Sequence, residues 1–97
     1  MADETVTRTV VVSNPQGLHA RPAEVFVKTA SQYQARVEVI KGSYRVDGKS
    51  ILNILTLAAV QGTQLNLEAT GPDAQAALQA LSELFARSFD ENGSVES

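Results

Sequence analysis

Two hydrophobic periodicities take turns along this chain, and each marks a kind of element. Residues 5–13 are rich in Val and Thr. Val6, Val10 and Val12 share one side of a pleat there, with Arg8 interrupting near the start, which predicts a first strand. Asn14-Pro15-Gln16-Gly17 reads as a loop from its Pro and Gly. Ala23, Phe26, Val27 and Ala30 then fall at i, i+3, i+4 and i+7, one face of a helix, with Glu24, Lys28 and Gln32 on another. Pro22 suits the first turn of that helix, where its missing N–H costs little. Val37 and Val39 alternate with Arg36 and Glu38 as a second strand. Lys41-Gly42-Ser43 is a turn and Tyr44-Arg45-Val46 the returning strand, so the pair predicts a hairpin. Asp47-Gly48-Lys49 turns the chain again, and Ser50 stands as the N-cap of a short apolar helix, Ile51-Leu52-Asn53-Ile54-Leu55. Gln61-Gly62-Thr63 closes that region. Leu65, Leu67 and Ala69 alternate with Asn66, Glu68 and Thr70, a fourth strand with one wet face. Gly71-Pro72-Asp73 opens a last helix, whose apolar stripe is Ala74, Ala77, Leu78, Leu81, Leu84 and Phe85. Residues 90–97 are polar and are expected to form a frayed tail.

The order is β-α-β-β-α-β-α, with no repeat, linker or low-complexity segment. Strands with one polar face point to an α+β architecture: an antiparallel sheet, helices on one side and water on the other. The pattern alone leaves the strand order open. A length of 97 residues makes 1–97 one domain, its core about 5–89, with a real but modest core. The absence of cysteine removes a disulfide framework, a thiolate nucleophile and a cysteine zinc site. The net charge is −3 without a Lys/Arg block, which disfavours nucleic acid and an anionic membrane surface as partners. The acidic start Met1-Ala2-Asp3-Glu4-Thr5 is no signal peptide, and no stretch approaches a spanning helix. A soluble cytoplasmic protein is the simplest expectation.

The chemistry concentrates at the single histidine, His19, where the first strand's loop hands over to the first helix. A lone histidine at such a junction is most often a cap or surface residue, and a metal is not expected from one histidine without cysteine. Nothing resembles the nucleophile elbow of a Ser-His-Asp hydrolase. The neighbours sharpen the reading. Imidazole is a good nucleophile near neutral pH. A phosphoryl group carried on it would meet the helix dipole, the N–H groups of Ala20 and Arg21, and the permanent charge of the Arg21 guanidinium. Pro22 stiffens the turn, and Gly17 allows backbone conformations other residues resist. No Asp or Glu lies between Ser13 and Ala23 to repel a phosphate.

Gly17-Leu18-His19-Ala20-Arg21-Pro22-Ala23, followed by Phe26-Val27 and Ala30, resembles the active-centre signature of the HPr family, the histidine phosphocarriers of the bacterial phosphotransferase system. The likeness continues through Asp47-Gly48-Lys49-Ser50-Ile51-Leu52 and Gln61-Gly62-Thr63, and covers roughly residues 5–89. It implies an open-faced β-sandwich, a four-stranded antiparallel sheet of order 1-4-2-3 with three helices on one face. It also implies that His19 takes phosphate through Nδ1 from phospho-enzyme I and passes it to a histidine of an IIA domain of a sugar permease, with Arg21 assisting. No cofactor is implied, independent catalysis is not expected, and the expected state is a monomer. Three positions depart from the common wording: Gln16 for Asn before the Gly, Ala58 for the Gly that ends the short helix, and Asn53 as an amide in that helix. The missing Gly at Ala58 is expected to lengthen or re-aim the helix end.

Ser50 as an N-cap is worth on the order of 1 kcal/mol, and many serines do no more. The resemblance adds a regulatory role, phosphorylation by HPr kinase/phosphorylase, which places new charge at a helix start. Ile51, Leu52, Ile54 and Leu55 are more apolar than one face of a short helix requires, since successive residues point about 100° apart. The resemblance makes Ile51, Leu52 and Leu55 an exposed contact patch for enzyme I and other partners, with Lys28, Lys49 and Arg21 adding charge that finds acidic partners. Two other readings stand beside this one. The first is a regulatory or nitrogen-type relay without sugar transport. The second is an effector-binding module that carries no phosphate, against which the retention of His19, Arg21 and Pro22 speaks.

Overall fold

The structure is a computed structural model and describes residues 4–90. The alternating segments become β1 (Thr5–Val11), β2 (Arg36–Lys41), β3 (Tyr44–Asp47) and β4 (Gln64–Thr70). The helical segments become α1 (Ala20–Ala30), α2 (Ile51–Thr56) and α3 (Ala74–Ala86). All strand pairs are antiparallel and the sheet order is β1-β4-β2-β3. That is the 1-4-2-3 order the resemblance implied.

The register explains why one face is dry. Val10 lies opposite Leu65, Leu67 opposite Val39, and Ala69 opposite Val37, so the inward-pointing residues form cross-strand layers. Val37, Val39, Leu65 and Leu67 are fully buried under the helices. The core continues into Phe26 of α1, Ile54 of α2, and Leu78 and Leu81 of α3. Phe26, Phe85 and Phe89 stack edge-on in sequence, at centroid distances of 6.1 and 4.9 Å. The other face is wet: Thr5 bonds Thr70, Thr9 donates to Asn66, and Arg45 bridges Glu38 and Glu68. Arg8, on the inward side of an edge strand, turns its guanidinium to Ser82 and Gln79 of α3 instead of the core.

Several details differ from the sequence reading. β1 stops at Val11, because Val12 leaves the sheet to exchange backbone hydrogen bonds with Gly62 and Thr63. Lys41, read as a turn residue, is the last residue of β2, and Asp47 the last of β3. After α3 the chain makes one further turn, Ser88–Asp90, with all three residues in the left-handed region and Phe89 buried. Positions 91–97 of the expected tail lie outside the described residues. Among the described residues no helix is long and apolar enough to cross a membrane.

Candidate functional site

His19 is the N-cap of α1, with extended backbone dihedrals (φ −82°, ψ −167°). Its carbonyl accepts the first helical hydrogen bond, from Ala23 N–H at 3.0 Å. In helical geometry the N–H groups of Ala20 and Arg21 have no residue four back to bind, and Pro22 has none to offer. Two donors and the positive end of the α1 dipole therefore lie at the helix start that His19 caps. Pro22 and Ala23 are buried and lock the first turn to the core, whereas Ala20 and Arg21 are exposed and His19 is half-buried.

The loop before His19 is held from across the fold. Gly17 has φ +74°, and a Cβ placed there would lie 2.4 Å from the Ala59 carbonyl oxygen. Both the dihedral and the close approach require glycine. Leu18 N–H donates to that same oxygen at 2.9 Å, and its side chain is buried. Asn14 is fully buried and its Nδ2 donates to Gly17 O at 2.6 Å. Gln61 Nε2 donates to Ser13 O at 3.0 Å. Segment 57–63, which follows α2, is thus fastened along segment 12–18 and brings the end of α2 to the histidine.

The result is a shallow depression lined by Gln16, Leu18, His19, Leu55, Ala58, Ala59 and Val60. No carboxylate is among those lining residues. Around it α2 divides its apolar residues. Ile54 and Leu57 are buried, while Ile51, Leu52 and Leu55 face solvent, Leu52 at 75 % exposure. Val60, 66 % exposed, extends that apolar surface to the histidine. Two contributors were missed from sequence. Asn14 passed as an ordinary loop residue, although Asn before Pro is a turn-forming signal. Val60 had no signal beyond being an apolar residue just before the Gln61-Gly62 turn.

Ser50 lies away from this cluster. It is the N-cap of α2, which packs beside α1, and the neighbouring Lys49 reaches Tyr33, beyond the C-terminal end of α1. Eleven residues of α1, ~16 Å of helix, separate that end from His19. Ser50 Oγ accepts from the Asn53 backbone N–H at 3.2 Å and from Asn53 Nδ2 at 3.1 Å. Asn53 Oδ1 in turn accepts from Asp47 N–H at 3.2 Å. The amide that departs from the common wording is thus exposed, clear of the core, and ties the Ser50 cap back to the end of β3. Lys49 Nζ is tied to Tyr33 O at 2.7 Å. Lys28 is exposed in the last turn of α1, seven residues and so two turns beyond Arg21 on the same face. At this junction Asp73 accepts from Gln34 and Ala35 N–H, both at 2.8 Å. Those bonds, Gln34 first, hold its carboxyl below the usual carboxylate range, with a smaller contribution from the charge of Lys49.

At Ala58 the expected lengthening of the helix is not seen. α2 stops at Thr56, Leu57 caps it, and Ala58 takes the left-handed conformation (φ +49°) that glycine usually supplies. Among the described residues no group of three or more His, Cys, Asp or Glu is gathered to hold a metal.

A four-stranded open-faced sandwich that presents a histidine at a helix start, beside an exposed apolar surface, is the architecture of histidine phosphocarrier domains. The family model described as "PTS HPr component phosphorylation site" matches residues 6–87. The chain belongs to this HPr family of phosphotransferase-system phosphocarriers. It is 41% identical over 86 residues to the phosphocarrier protein HPr of Treponema pallidum, covering 89% of this chain and 98% of that one. The HPr of Neisseria meningitidis serogroup A is 42% identical over 84 residues, 87% of this chain and 94% of the relative. Among solved structures, HPr from Thermoanaerobacter tengcongensis superposes with a TM-score of 0.87 at 39% identity, covering 90% of this chain and 98% of that one.

Proposed function

We propose that His19 is the phosphoacceptor. Its neutral imidazole attacks phosphorus through Nδ1, with the ring proton on Nε2. An N–P bond forms at His19 as the phosphoryl bond to phospho-enzyme I breaks, and the same step in reverse hands the group to a histidine of an IIA domain. What carries this reading is the placement of His19 as N-cap of α1, with the Ala20 and Arg21 N–H groups next in the chain and Arg21 exposed in the first turn. These donors stabilise the phosphoryl oxygens without a full neutralising cage, so the group can leave again. Ile51, Leu52 and Leu55 form the apolar docking patch, and Arg21 and Lys28 supply steering charge. Lys49, held on Tyr33, contributes at the patch's far edge. The downstream process is sugar uptake, and the protein acts as a cytoplasmic monomer.

Ser50 is the regulatory position. A phosphate from HPr kinase/phosphorylase would add about −1.5 to −2 charge beside Ile51 and Leu52 and weaken docking. A relay to a different acceptor has one observation in its favour. The chain is 36% identical over 91 residues to 19% of a phosphoryl donor subunit, DhaM, of a PEP-dependent dihydroxyacetone kinase from Providencia stuartii.

The test is the rate of phosphoryl transfer from phospho-enzyme I. His19→Ala should accept none while keeping the native melting transition. Arg21→Ala should fold normally and transfer at least tenfold more slowly, the effect of removing about 1.4 kcal/mol of transition-state stabilisation. Wild-type kinetics in either variant would contradict the assigned roles.

A further inference from the structure

Lys41 occupies an unexpected place. In β2 it continues the inward alternation of Val37 and Val39, both fully buried. That pleat position ordinarily receives an apolar residue, so a lysine there has to carry its charge out to a polar group. Its Nζ donates to the Leu57 carbonyl at 2.9 Å. Leu57 caps the C-terminus of α2, where unpaired carbonyls and the negative end of the dipole favour a cation. The next residue is Ala58, left-handed at φ +49°. An alanine is disfavoured there because its Cβ crowds the following carbonyl. Tyr44, the cross-strand partner of Lys41, donates to Thr56 Oγ1 at 3.0 Å, so the hairpin end grips the last turn of α2 at two points. Just beyond, Ala59 O accepts from Leu18 N–H, and Ala58, Ala59 and Val60 wall the histidine's depression.

We propose that Lys41 is a positioning residue for phosphoryl transfer. By holding the Leu57 carbonyl it keeps the strained Ala58 turn closed, and with it the wall formed by Leu55, Ala58 and Val60 against His19. Lysine at this position and alanine in place of glycine form one unit: the tether supplies the restraint that the glycine would have made unnecessary. This inference rests on the reading of His19 as the phosphoacceptor, and two measurements keep the two separable.

The first needs no partner. Leu18 N–H reports directly on Ala59 O, so its hydrogen exchange follows the wall. Lys41→Met should speed Leu18 exchange about two- to fivefold, the weight of a cation at a helix C-terminus, with strand amides unchanged. Lys41→Arg should keep the wild-type rate. Adding Ala58→Gly to Lys41→Met should restore it, because glycine closes the turn unaided. The second is steady-state transfer from phospho-enzyme I. Lys41→Met should raise KM by a similar factor with kcat unchanged, and the same two rescues should hold. Unchanged Leu18 exchange in Lys41→Met, or acceleration spread evenly through the sheet, overturns the tether. Faster Leu18 exchange with an unaltered KM overturns the positioning role. A wild-type chain that takes no phosphate overturns the phosphoacceptor reading and the positioning role with it, while the exchange data still decide whether Lys41 holds the turn.

Discussion

At the scale of single residues, the site depends on a glycine and an alanine that share one backbone demand. Gly17 is left-handed and sits against a carbonyl oxygen, so Gly17→Ala suffers both a disfavoured dihedral and a 2.4 Å contact with backbone. The expected loss is about 2 kcal/mol or more, read as a lower denaturation midpoint at unchanged slope. A midpoint within error of wild type would mean the loop relaxes around the methyl group. Ala58 meets the same demand without a glycine and is held by Lys41. The placement of His19, Arg21 and Gly17 was legible in the sequence because its signals are local: a Pro/Gly loop followed by a helix start. Asn14, Val60 and Lys41 were not, because each acts through a partner at a distance that no short pattern encodes. Asn14 folds back under Gly17, Val60 meets His19 from 41 positions away, and Lys41 reaches Leu57 across 16.

At the scale of elements, α2 is too short to be stable from its own propensity and is held by its ends. Ser50→Ala removes the acceptor of both Asn53 donors. It should cost about 1 kcal/mol and lower Tm by roughly 5 °C. A Tm unchanged by Ser50→Ala would mean that the cap adds nothing to the stability of α2. The contact between Asp73, at the start of α3, and the segment entering β2 has its own signature in pH. The folded-state pKa of Asp73 lies below its unfolded value, so the stabilisation is present above the ordinary carboxylate pKa of about 3.9 and is lost as pH falls through the lower folded value. Stability should therefore fall on acidification below about pH 4, and Asp73→Asn should flatten that part of the profile. An identical acid limb in both proteins would remove Asp73 from it. The elements themselves were readable because period 2 and period 3.6 alternate cleanly. Their edges shifted where a long-range bond competes: Val12 leaves β1 for Thr63, and Lys41 stays in β2 because α2 gives its ammonium a partner.

At the scale of the whole molecule, a sheet with one dry face supports three helices, and the segment after α2 is stitched to the loop before α1. That stitch puts His19 and the exposed Leu52, Leu55 and Val60 on one surface. A relay protein has to bind several partners and release each, and a small apolar patch with a few steering charges suits weak, fast encounters. Alternating faces named the layers but not the neighbours, so the order β1-β4-β2-β3 came from family resemblance and not from periodicity. The final left-handed turn, Ser88–Asp90, had no forewarning, since three residues of ordinary type adopt it to bury Phe89 on Phe85. The proposed relay stands on His19 carrying a phosphoryl group. Intact mass of the purified chain after incubation with phosphoenolpyruvate and a catalytic amount of enzyme I tests it most directly, alongside His19→Ala. The wild type should gain one phosphoryl group, lost in mild acid and absent from the variant. An acid-labile phosphate on His19→Ala, or none on the wild type from an enzyme I active on its own carrier, would contradict it.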